Sequence, residues 1–245
     1  MPIRDTVPSR YAPVVTWWLI AINCVVFLFE LTLGPEELER LVYLFGIVPA
    51  RYTHAEWAIW RGLPLDDSWP FLTSMFLHGS WSHIIGNMWM LWIFGDNVED
   101  AMGPVRYLLF YLITGVIAGV THLLTNPDST LPTVGASGAI AGVLGAYFAL
   151  YPRARIIAVF PIFFWPFFFE LPAVTYLFMW FLSQWFGGTV AALLPAADAG
   201  GIAFWAHVGG FLAGVLLHRA FVLPKRLRPR IFAPDEYGIE RAWAT

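Results

Sequence analysis

Six runs of apolar residues, about 14–33, 82–96, 105–124, 134–151, 169–187 and 202–222, take up most of this chain. A helix needs about 20 residues to cross the hydrocarbon core of a bilayer. Inside lipid the backbone must satisfy its own hydrogen bonds, so runs of this length call for helices with lipid as their solvent. Composition agrees: 13% of the 245 residues are charged and 58% are hydrophobic, about half the charge of an ordinary soluble domain. The sequence reads as an all-α membrane protein, a bundle of six transmembrane helices with a long first external loop. Three regions follow: an N-terminal segment 1–13, a membrane domain 14–222 and a C-terminal tail 223–245.

The second run is short. It follows residues 71–81, an apolar stretch broken by His78, Gly79 and Ser80, which is expected to dip into the bilayer without crossing it. Residues 156–169 are apolar but contain Pro161 and Pro166, so they are expected to be an interfacial segment before the fifth helix, which begins near Glu170. Orientation follows from the cations. With the N-terminus in the cytoplasm, 11 of the 14 Lys and Arg residues fall inside, and Arg40, Arg51 and Arg61 fall in the first loop. That is the positive-inside pattern, with both termini cytoplasmic. The first run is too long for a signal-peptide core and lacks a small-residue cleavage site, so it reads as an anchor. With no targeting extension beyond a short Arg-containing N-terminus, a prokaryotic plasma membrane is the expected location.

Several function classes drop out. A net charge of −3 gives no basic face for nucleic acid, and one cysteine, Cys24, excludes an intramolecular disulfide and any multi-cysteine metal site. Phosphate-loop, C-x-x-C and H-E-x-x-H motifs are missing from the sequence.

What remains is a set of polar residues where lipid disfavours them. His83 and Asn87 lie on the second run, Ser137 on the fourth and His207 on the sixth. These three helices run from outside to inside, and each carries its polar residue in the first two turns, so the four side chains share one depth below the outer surface. His83 and Asn87 are four apart and share a helix face. Ser137 lies in Gly135-Ala136-Ser137-Gly138 at a helix start, where unpaired backbone N–H groups stand ready for an anion. Gly138, Gly142 and Gly145 form one small-residue stripe, and Gly210 and Gly214 after His207 form another. Such stripes let helices approach closely, which brings Ser137 toward His207. A serine beside an imidazole is an activated nucleophile, and the His83 and Asn87 side chains are candidate donors to an oxyanion.

Each feature alone has a bland reading: a packing stripe, an interior histidine, a helix cap, an interhelical amide. Their common level and complementary chemistry favour catalysis. His78 is assigned to hydrogen bonding within the first loop. His54, His122 and His218 lie near span ends or in loops and need no special role. A haem-binding or transport protein using paired intramembrane histidines is the rival from another class, and it gives the glycine-flanked serine no purpose.

The sequence resembles the rhomboid family of intramembrane serine proteases through His83-Ile84-Ile85-Gly86-Asn87, Gly135-Ala136-Ser137-Gly138, and Ala206-His207-Val208-Gly209-Gly210 with Gly214. The motifs are in the family's order, and the resemblance covers about residues 12–222. It implies a rhomboid-like six-helix core open to water from the outer side, with a partly membrane-embedded first loop. It also implies a Ser137–His207 dyad without aspartate, and an oxyanion site from His83, Asn87 and backbone N–H. No metal or organic cofactor is expected, and the implied partners are transmembrane protein substrates and the lipid bilayer. The alternative within the same fold is a catalytically silent member that binds or escorts membrane proteins. Two departures stand out. Trp69-Pro70 stands where many members have Trp-Arg, and Ala141 where some have a tyrosine stacked on the histidine.

Overall fold

The longest helices in this chain lie on its apolar runs. The computed structural model describes residues 1–162, 165–193, 203–224 and 226. In chain order its elements are strand β1 (Pro2–Asp5), helices α1 (Val14–Glu30), α2 (Pro35–Phe45), α3 (Pro49–Thr53), α4 (Ala55–Trp60) and α5 (Pro70–Thr73), a 3-10 turn (Ser74–Phe76), α6 (Trp81–Met102), α7 (Pro104–Thr125), α8 (Ser137–Leu150), strands β2 (Arg155–Ile162) and β3 (Trp165–Pro172), and helices α9 (Ala173–Leu193) and α10 (Phe204–Phe221). Helices α1, α6, α7, α8, α9 and α10 fall on the six apolar runs. Among the described residues, α7 is by itself long and apolar enough to cross a membrane, and α1 and α8 are shorter apolar helices. Residues 194–201 of the expected outer loop near 188–201, and nearly all of the tail 223–245, lie outside the described residues.

Helix α6 continues past its expected end at residue 96 because its acidic end has work inside the protein. The Glu99 carboxylate, almost fully buried, accepts from the Val15 and Thr16 N–H groups at 2.9 and 2.8 Å and from the Thr16 hydroxyl at 2.8 Å. It thereby satisfies the open donors at the start of α1, where a negative charge also meets the positive end of the helix dipole. One residue, Gly103 at φ +77°, reverses the chain between α6 and α7; a side chain is disfavoured there.

Helix α8 is the axis of the bundle. Every residue from Gly138 to Tyr147 is buried, as expected for a helix apolar all round. Its glycine stripe meets that of α10 with no side chain between. A Cβ at Gly210 would run into the Gly138 carbonyl oxygen, one at Gly214 into that of Gly142, and one at Gly145 into that of Phe211. The close approach expected from the two stripes is present. Around this centre the outer helices turn large apolar side chains outward, among them Trp18, Val25, Trp92, Phe186 and Leu216, a surface suited to lipid.

The expectation of an all-helical chain needs correction. Strands β2 and β3 pair antiparallel in register from Arg155↔Pro172 to Ile162↔Trp165, and β1 adds to the other side of β2 through Pro2↔Ala158 and Asp5↔Ile156. Pro161 and Pro166 are partners in this register, and the β-branched and aromatic residues on either side favour strands. The fifth helix consequently starts at Ala173, and Glu170 lies in β3, paired with Arg155 at 3.2 Å.

The segment between α1 and α6 is folded, and its anchor is Arg51. That side chain is fully buried and donates to the Pro64 and Leu44 carbonyls at 2.7 and 3.2 Å and to the Asp67 carboxylate at 3.1 Å. Sequence reasoning noted a missing arginine at Pro70 and counted Arg51 only as an outer charge. Here Arg51 ties the loop together, satisfied chiefly by carbonyls, as a buried guanidinium must be. The loop then grips the strand leading into α8: Ile47 and Thr133 exchange backbone hydrogen bonds, and the Gly135 N–H donates to the Ser74 carbonyl at 2.8 Å.

Candidate active site

Ser137 is the first residue of α8, and His207 lies in the first turn of α10. The glycine contacts between these helices set the separation, and His207 Nε2 lies 2.7 Å from Ser137 Oγ. Two of the four residues singled out in the sequence are therefore in direct hydrogen-bond contact.

His83 and Asn87 approach from α6 against the backbone that leads into Ser137. The Ser80 hydroxyl caps that helix by accepting from the His83 N–H at 3.2 Å, which fixes the first turn. Gly135, two residues before Ser137, has φ +130°, and a Cβ there would lie 2.6 Å from His83 Nε2 and 3.6 Å from Asn87 Nδ2. Both side chains converge on a stretch of backbone that only glycine leaves open. Ser137, Gly138 and Ala139 begin α8, so their N–H groups have no partner from within the helix.

The structure corrects the assignment of His78. Its imidazole does not bond within its own loop: Nε2 accepts from Asn87 Nδ2 at 2.9 Å, and its backbone N–H donates to the buried Glu30 carboxylate at 3.2 and 3.3 Å. His78 thus orients the Asn87 amide and uses one of its two hydrogens. Its ring also meets that of His83 edge-on at 5.1 Å. The remaining histidines hold secondary positions: His122 bonds Thr133 at 2.8 Å, His54 bonds Asp128 at 2.8 Å and His218 bonds the Val215 carbonyl at 2.7 Å.

Ala141 brings no ring to His207, and helix α9 supplies what is missing. The Trp180 indole lies 5.9 Å from the imidazole, tilted by 36°, and Gln184 Oε1 lies 2.7 Å from His207 Nδ1. Sequence reasoning missed both residues. The signal for Gln184 was nevertheless present: it is an amide in the middle of an apolar helix, the same signal that singled out Asn87. A small cavity of about 30 Å³ opens beside Ser137, bordered by Gly115, Gly119, His122 and Met75.

The rhomboid domain model matches residues 65–224, which include every residue of this site. The chain belongs to the rhomboid family. It is 29% identical over 216 residues to rhomboid protease GluP of Bacillus subtilis (strain 168), covering 87% of this chain and 36% of that protein. It is 30% identical over 154 residues to the presenilin-associated rhomboid-like protein, mitochondrial, of Mus musculus, covering 60% and 36%. It is also 30% identical over 118 residues to the putative rhomboid protease YdcA of Bacillus subtilis (strain 168), covering 45% and 57%. The chain thus spans between 36% and 57% of the length of these relatives. As a rhomboid it is a membrane protein, and the segment from α5 through α10 is the part that carries the family pattern.

Proposed function

We propose that this rhomboid is an intramembrane serine endopeptidase that cuts transmembrane segments near the outer face of the bilayer. The observation that carries the reading is the 2.7 Å contact between His207 Nε2 and Ser137 Oγ, with His83 and Asn87 beside it. Ser137 Oγ attacks the substrate carbonyl as His207 Nε2 takes its proton. The oxyanion receives the His83 ring N–H, the second Asn87 amide hydrogen and backbone N–H groups at the start of α8. Collapse of the tetrahedral intermediate breaks the C–N bond, and His207 returns the proton to the leaving amine. Water then hydrolyses the acyl-enzyme with His207 again as base.

A peptide carbonyl inside a helix is already hydrogen-bonded, so the substrate must unwind to present it. Substrates with helix-weakening residues near the cut are preferred, and replacing those residues with leucine slows cleavage; unchanged rates across such a series would sink this preference. The cavity beside Ser137 suits a small side chain next to the attacked carbonyl.

The membrane domain is residues 14–222, crossing six times, with the first loop partly in the bilayer. Segments 1–13 and 223–245 lie in the cytoplasm of a prokaryotic cell, under its plasma membrane. This arrangement is supported by the distribution of Lys and Arg and by the six apolar helices. The test is cleavage of a single-span substrate in liposomes by wild type, Ser137→Ala and His207→Ala. Cleavage by wild type that both substitutions abolish is the expected result. Cleavage that survives in Ser137→Ala refutes the nucleophile, and a folded wild type that cuts none of several substrates points instead to a silent member that binds membrane proteins.

A further inference from the structure

The contact between Gln184 and His207 has a direction, and that direction can be worked out from its neighbours. The Ser183 hydroxyl donates to the Trp180 carbonyl at 2.6 Å. Its lone pair therefore accepts from Gln184 Nε2, a donor only, at 3.0 Å. That leaves Gln184 Oε1, an acceptor only, facing His207 Nδ1 at 2.7 Å. Nδ1 then carries the imidazole hydrogen, and in the neutral ring Nε2 is bare, ready to accept the Ser137 hydroxyl at 2.7 Å. Trp180 lies one turn before Gln184 on the same face of α9, with its indole tilted over the imidazole. One helix face thus carries both a ring against the histidine and an acceptor for its second nitrogen.

We propose that Gln184 is a positioning residue for His207: it holds the imidazole in the Nδ1–H form and aims Nε2 at Ser137. The inference rests on the dyad reading above. Gln184 does the orienting half of the task of a triad carboxylate without supplying charge. Without an acceptor at Nδ1 the ring is free to take the Nε2–H form, which cannot accept the serine proton, and wrong-tautomer lesions of this kind have been severe in serine proteases.

Two readouts test it on the full chain in liposomes. The first is cleavage kinetics of wild type, Gln184→Met and Gln184→Glu on one single-span substrate. Methionine keeps the length and removes the acceptor, and its kcat is expected to fall about 10- to 100-fold, by analogy with loss of the partner that orients a metal-bound histidine, with KM unchanged. Glutamate also accepts from Nδ1–H and restores most of the rate. The second readout is ¹⁵N NMR of ring-labelled histidine, with the His207 signal identified by its loss in His207→Ala. Wild type is expected to show protonated Nδ1 and bare Nε2, and Gln184→Met to move population toward Nε2–H. A wild-type His207 in the Nε2–H form overturns the proposal. So does a Gln184→Met enzyme with wild-type kcat, or one whose loss Gln184→Glu fails to restore. The NMR result stands apart from the dyad itself: were Ser137→Ala still to cleave, the dyad reading would fail while the His207 tautomer would still report on Gln184.

Discussion

Helix α10 is held from two sides in two different ways. Against α8 the contact is backbone on backbone, with the carbonyls of Gly138 and Gly142 seated where side chains at Gly210 and Gly214 would be. Against α9 it is ring on ring: Phe181 and Trp180 lie 5.0 and 6.1 Å from Phe211, and Trp185 lies 5.4 Å from Trp205. The first contact has no adjustable parts, so it fixes how far Ser137 lies from His207. The second is built of side chains that can repack, so it governs how the imidazole is tilted. Distance and orientation at this site are therefore set by separate interfaces.

The sharpest way to break that division is Gly214→Val. Its side chain collides with the Gly142 carbonyl, so the seam must open, at a cost of about 1–3 kcal/mol or more for overpacking. Loss of cleavage together with a lower Tm is expected, and wild-type cleavage would show that the seam does not set the distance. Next in size is Gly135→Ala, strained at φ +130° and pressed against His83. On the proposed mechanism this displaces an oxyanion donor, so a kcat lower by about 10²–10³ is expected, with a smaller change in Tm than for Gly214→Val. On the α9 side, Phe181→Ala removes a ring pair worth about 0.5–1.5 kcal/mol beyond its buried area. Steady-state kinetics should show a modest kcat loss with unchanged KM; a loss as large as that of Gly214→Val would erase the distinction.

The far end of α8 gives an independent comparison. Asp5 of β1 accepts from the Tyr147 hydroxyl, and burial pushes its carboxyl up to about 7 from an ordinary 3.8. A carboxyl that holds its proton better when docked favours docking at low pH. The strand's attachment is thus strongest below about pH 4, weakens as pH rises toward about 7 and levels off above it. Hydrogen exchange of residues 2–5, corrected for intrinsic rates, should follow that course and flatten in Asp5→Asn, with cleavage unaffected. The smallest effect belongs to Gly86→Ala on α6, where a Cβ meets open space. Exchanging glycine for alanine inside a helix should add roughly 0.5–1 kcal/mol, read as a slightly higher Tm.

Much of this was legible in the sequence because lipid punishes misplaced polarity. His83, Asn87, Ser137 and His207 stood out for that reason, and the glycine stripes announced which helices touch. Gln184 carried the same signal, with Gly187 and Gly188 three and four residues on as Gly210 follows His207, and was passed over because the fifth run holds no histidine or serine motif to pair it with the site. The paired strands β2 and β3 were obscured because apolar residues between prolines suit a strand and an interfacial segment equally well. Arg51 was misread as a surface cation because only the folded loop places the Leu44 and Pro64 carbonyls around it.

The three-stranded sheet also bears on the order in which the protein is made. Strand β1 leaves the ribosome well before its partners, residues 156–158, and before Tyr147, whose hydroxyl meets Asp5. Pairings this distant in sequence form late. Residues 2–5 must wait undocked, with Asp5 exposed to water, while α1, α6, α7 and α8 assemble. Closing the sheet raises the hold of Asp5 on its proton and joins the two ends of this stretch of chain.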